Sequence, residues 1–208
     1  MMFLLLFLVF AGVAGAIWFQ GLWSAAITLI NLLLAMLIAT NFWEPVCTMV
    51  DNAQGSYTYL VDFLVLWILF ALAFGLLRAV TDVLSKKPVK FNLPVEMAGR
   101  TVLALWCAWL MVCFTAFSLH MAPLNNPTPL GAWGTPRDSV FFGADRIWLG
   151  FMQSESRGAL SRGNIQETPD HPSDQNLNVE TFDPFGKFLI NYRARREKYA
   201  KLESMRVP

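Results

Sequence analysis

Gln20, Ser24, Thr28 and Asn31 follow one another at spacings of four, four and three, which sets them on one face of a helix. They lie in a run from Met1 to Trp43 that contains no Asp, Glu, Lys, Arg or His. Polar side chains in such a setting do one of two things. They hydrogen-bond to neighbouring helices, at roughly 0.6 kcal/mol each, or they line a route for water, protons or a solute. Asp62 stands in the next apolar run, about one turn inside its outer end. A carboxylate at mid-bilayer costs roughly 2.5 to 3.5 kcal/mol on the insertion scale, so it faces the bundle interior or water. Antiparallel helices would set Gln20 near one membrane face and Asp62 near the other. No Lys or Arg of the spans is within reach of Asp62, so its expected partners are neutral: the stripe residues, Thr58 and Tyr59 nearby, or water. Glue and path both stay open.

No other constellation suggests catalysis. The chain has no P-loop, no nucleophile elbow and no cluster with metal-ligand spacing, and His120 and His171 stand alone in sequence. Cys47, Cys107 and Cys113 make an odd count without a CxxC, so they read as small buried hydrophobes, with Cys47 the one expected to meet water. No cofactor is expected. A net charge of +1 gives no pull toward nucleic acid.

The elements that must position these residues are apolar helices. Mean hydropathy is +0.44. Of 16 basic and 15 acidic residues, five and five precede Pro123, so the first part is membrane-like and the rest soluble-like. Residues 59–78 and 101–121 each suit one crossing. The opening run is longer: as a single helix it would extend about 60 Å, twice the hydrocarbon thickness. Two spans, 2–18 and 22–43, fit if the chain turns at Gly21, a residue free to take positive φ. A cleaved signal ending in "AGVAGA" is the competing reading, although its n-region carries no Lys or Arg. The expected fold is all-α, a polytopic four-helix transmembrane bundle with a C-terminal helical tail. Small residues four apart (Ala11 and Gly15; Ala71, Gly75 and Ala79; Ala104 and Ala108) are candidate packing faces.

Arg78, Lys86, Lys87, Lys90 and Arg100 all fall in one loop, which the positive-inside rule places in the cytoplasm. Both termini then lie on the other side. Residues 123–136, rich in Pro, Gly and Asn, read as a linker. Residues 137–208 form the tail. Within it, 138–162 is an amphipathic helix carrying Phe141, Ala144, Trp148 and Phe151 on one face, with Asp145 elsewhere. Residues 185–206 form a basic helix, read as a solvated charged surface.

The arrangement resembles the colicin V production (CvpA) family of bacterial inner-membrane proteins. The likeness covers residues 12–124 and rests on a Gly-containing first turn (Gly15 to Gly21), on "LLLAMLIATNFWEPV" with Ala39, Phe42 and Pro45, and on "VEMAGRTVLALW…SLHMAPL" with Glu96, Gly99, Arg100 and Pro123. The usual Arg of the first turn and the acidic residue of the first span have no counterpart here. The resemblance implies a non-enzymatic multi-pass protein of the inner membrane, acting in toxin production, export or envelope processes. Its partners would be the lipid bilayer and other membrane or export proteins. The alternative is a small transporter or channel component built on the polar face and Asp62.

Overall fold

A computed structural model describes residues 1–54, 58–85, 89, 91–122, 141–157, 182–183 and 187–201. They form six helices: α1 (Met2–Trp18), α2 (Leu22–Gln54), α3 (Thr58–Leu84), α4 (Leu93–Met121), α5 (Ala144–Arg157) and α6 (Phe188–Lys201). The described residues contain no strand. Three stretches are long and apolar enough to cross a membrane: Leu22–Val50, Val61–Leu84 and Leu93–Met121. The apolar α1 is shorter. Its 17 residues span about 25 Å.

The opening run does break at Gly21, whose φ is +83°. This left-handed value is open to Gly because it has no Cβ. A Cβ there would also stand 3.2 Å from Glu96 Oε1. The turn folds α1 and α2 back on each other, and Trp18 donates its indole N–H to Thr101 Oγ1 at 3.2 Å. Arg100 lies over the Trp18 ring, 4.0 Å from its centroid. At the opposite end of α1, Phe3 packs on Phe141, just ahead of α5. Thus α1 runs antiparallel to α4. The bundle has a basic-loop end, where α2 and α4 begin, and a tail end, where α5 and α6 sit.

Helix α2 continues eleven residues past the expected boundary at Trp43 and carries Pro45 within it. One face of this stretch is covered, while Glu44, Thr48 and Met49 are exposed. Trp43 and Cys47 are buried, and the Trp43 ring lies 6.5 Å from that of Tyr192 in α6. Cys47 therefore does not meet water as expected; it is as buried as Cys107 and Cys113. Helix α4 starts at Leu93, eight residues ahead of the expected span, with Pro94 in its first turn. It ends before Pro123, at Ala122, whose backbone is extended as a residue preceding proline prefers.

The core runs along the bundle axis through Leu32, Ala35, Met36, Leu66, Phe70, Val112 and Phe114. Phe70, Trp67 and Trp148 surround Phe114, with ring centroids 5.0 to 5.9 Å away. Of the small-residue stripes, Ala104 and Ala108 are buried and serve packing. Ala71, Gly75 and Ala79 face outward, in line with the exposed Leu64, Ile68, Leu72 and Leu76.

Candidate functional site

At the basic-loop end the polar stripe meets a cation. Arg78 turns its guanidinium into the bundle, where Nη1 donates to Thr28 Oγ1 at 2.8 Å and Nη2 to Ser24 Oγ at 3.1 Å. Its Nε lies 3.1 Å from Asp82 Oδ1. Thr28 has a single hydroxyl proton, which goes to the Ser24 carbonyl at 2.8 Å. That leaves its oxygen free to accept from Arg78. Gln20 belongs to the turn rather than to α2, and its Oε1 accepts from Ser24 at 3.1 Å. Asn31, 1% exposed, donates to Thr81 Oγ1 at 2.8 Å. Sequence reasoning assigned Arg78 to the loop and missed this contact. The available signal was its register: Arg78, Thr81 and Asp82 share one face of α3, and Ser85 follows just past its end.

A cavity of about 180 Å³ opens beside this cluster. Gln20, Trp23, Ser24, Arg78, Asp82 and Glu96 supply its polar walls. The Trp23 indole N–H is held by Ser85 Oγ at 2.7 Å. Lys86, Lys87 and Lys90 lie outside the described residues.

Asp62 sits at the tail end, sixteen residues and about 24 Å along α3 from Arg78. The expectation that its partners are neutral is corrected. Arg195 Nη1 reaches Asp62 Oδ2 at 2.5 Å, and the Tyr192 hydroxyl donates to the same oxygen at 2.8 Å. The missing cation lay 133 residues away in the chain. Burial, and then the Asp62 charge, push the Tyr192 phenol up from its ordinary value, so it keeps the proton it donates.

A second buried pair stands nearby. His120 Nε2 and Asp145 Oδ2 are 2.9 Å apart, and the two side chains are 3% and 1% exposed. Arg196 donates to the His120 carbonyl at 2.9 Å. Burial lowers its guanidinium from the usual value. Trp148 donates to Thr40 Oγ1 at 3.2 Å. Thus α6 is not a solvated charged helix: Phe188, Tyr192 and Arg196 form a buried face. Nor does Asp145 lie off the apolar face of α5. It shares that face with Trp148 and Met152, three and seven residues on. His171 lies outside the described residues.

The two tail helices are joined at a corner. Asp183 accepts the backbone N–H groups of Lys187 and Phe188 at the start of α6, at 2.7 and 3.0 Å. Its carbonyl accepts from Gln153 Nε2 of α5 at 2.8 Å.

No family model, curated protein or solved structure matches the chain. The site speaks for itself. The stripe (Gln20, Ser24, Thr28, Asn31) is brought together with Arg78, while Asp62 is brought together with the tail. The two groups do not meet, because the apolar core residues Leu32, Met36, Leu66 and Phe70 fill the axis between them. Among the described residues the two buried carboxylates are both paired, Asp62 with Arg195 and Asp145 with His120.

Proposed function

We propose that this chain is a non-enzymatic, multi-pass protein of the bacterial inner membrane that acts as a scaffold in toxin export or envelope processes. This is the role implied by its resemblance to the colicin V production family. In this reading Met2–Trp18 is a retained fourth span, the basic loop is cytoplasmic, and the tail is displayed on the other side. The observation that carries the reading is the engagement of Asp62 by Arg195 and Tyr192. The carboxylate best placed to serve a solute or proton path instead fastens α6 to the bundle. A membrane bundle that holds a folded tail at its outer end is suited to recruiting partners. The surface on offer is the outward side of α6, where Ile190 is exposed.

The alternative, a small transporter or channel component, draws on the cavity at the basic-loop end. It requires the apolar axis at Leu66 and Phe70 to open. Solute flux in proteoliposomes separates the two. The scaffold reading expects flux no greater than that of empty vesicles, together with a co-purifying membrane or export protein that is lost when the tail is removed. Flux abolished by Asp62→Asn at normal abundance would favour the transporter.

A further inference from the structure

The cavity at the basic-loop end is charged on both walls, and its charges are not used up. Arg78 has five N–H donors. Thr28, Ser24 and Asp82 take three of them, fixing the plane of the guanidinium and leaving one N–H on each Nη. Asp82 is already matched by Arg78. Glu96 is not matched: its half-buried carboxylate lines the cavity with no hydrogen bond or ion pair among the described residues. Close approach of Glu96 to the α1–α2 turn is possible because residue 21 is Gly.

A ligand that satisfies both walls needs an ammonium for Glu96 and an oxyanion for the outer edge of Arg78. A plain anion would leave Glu96 unpaired, and a plain cation would face Arg78. The volume, about 180 Å³, equals about six waters of about 30 Å³ each and falls below the 300 Å³ or so of drug-sized pockets. A short ligand is called for. The cavity also stands at the level of Trp18 and Trp23, where apolar helices give way to the headgroup region.

We propose that this cavity binds a primary-amine zwitterion of the aminoethyl phosphate type, with the ammonium on Glu96 and the phosphate on Arg78. The chemistry is shared by a phosphatidylethanolamine headgroup and by free phosphoethanolamine. The proposal rests on the chain being membrane-embedded, and not on its role in export.

The test is native mass spectrometry of the detergent-purified full chain titrated with single lipids of matched acyl chains. Phosphatidylethanolamine is expected to bind about tenfold more tightly than phosphatidylglycerol, which lacks the amine, a difference worth about 1.4 kcal/mol. It should also exceed phosphatidylcholine, whose quaternary nitrogen has no N–H to give Glu96. Glu96→Gln, nearly isosteric, should abolish the preference for the amine while leaving thermal stability unchanged. Arg78→Lys should weaken all three lipids, because the ammonium cannot hold the fork. Millimolar phosphoethanolamine that displaces the lipid identifies the headgroup alone as sufficient. Failure to displace it, with the lipid preference intact, identifies the lipid as the source. Equal binding of the three lipids by the unaltered chain, or an amine preference that survives Glu96→Gln, would overturn the proposal.

Discussion

Gly21 and Asp62 illustrate two kinds of legibility at the scale of single residues. The turn at Gly21 was readable because one glycine separates two apolar runs too long to be one span, and its φ of +83° is the local answer to that problem. Gly21→Ala forces an L side chain into a left-handed conformation, at a cost of about 1 to 2 kcal/mol. It also crowds Glu96. Thermal unfolding in detergent should show the loss. Asp62 was recognisable as an anomaly, but its partner was not, because Arg195 lies 133 residues on and no periodicity links them. Arg78 was hidden differently. A guanidinium at a span end reads as a loop charge, whereas its long side chain reaches back to Ser24 and Thr28.

At the scale of elements, the helices of the bundle follow from hydropathy alone, and their ends do not. Helix α2 overruns its apolar stretch because the tail covers Trp43 and Cys47. An extension of that kind is decided by tertiary packing rather than by local propensity. Helix α5 begins at Ala144 rather than 138. Phe141 and Phe142 take left-handed backbone conformations (φ 49° and 59°), and Gly143 follows at 75°. The apolar spacing of Ala144 and Trp148 is legible in the sequence, but Met152 and Asp145, rather than Phe141 and Phe151, complete the buried face, because Asp145 pairs with the distant His120. Trp148 is the keystone of this docking, 1% exposed and in contact with Phe114 and Phe151. Trp148→Ala removes a buried indole and should destabilise the fold by about 3 to 5 kcal/mol. Trp148→Phe, which loses chiefly the bond to Thr40, should cost about 1 kcal/mol. Chemical or thermal unfolding of the two variants side by side tests the ranking.

For the whole molecule, the polar groups divide between the two ends of an apolar bundle, and the division makes topology a sharp test. Reporter fusions after residues 90 and 136 should report opposite compartments, with the first cytoplasmic. Intact mass should retain Met1–Phe19. Both fusions reporting cytoplasm would break the four-span reading, and so would a chain shortened at "AGVAGA".

Asp62 fastens α6 to the tail end of the bundle through Arg195. Charge reversal tests it most directly. Hydrogen–deuterium exchange across residues 188–197 reads the docking of α6, because local opening exposes its amides. Asp62→Arg and Arg195→Asp, made singly, should each speed that exchange by about tenfold or more. The double variant restores an opposite-sign pair with exchanged positions and should bring protection most of the way back. Exchange in the double variant as fast as in the worse single variant, or single variants indistinguishable from the unaltered chain, would contradict the account.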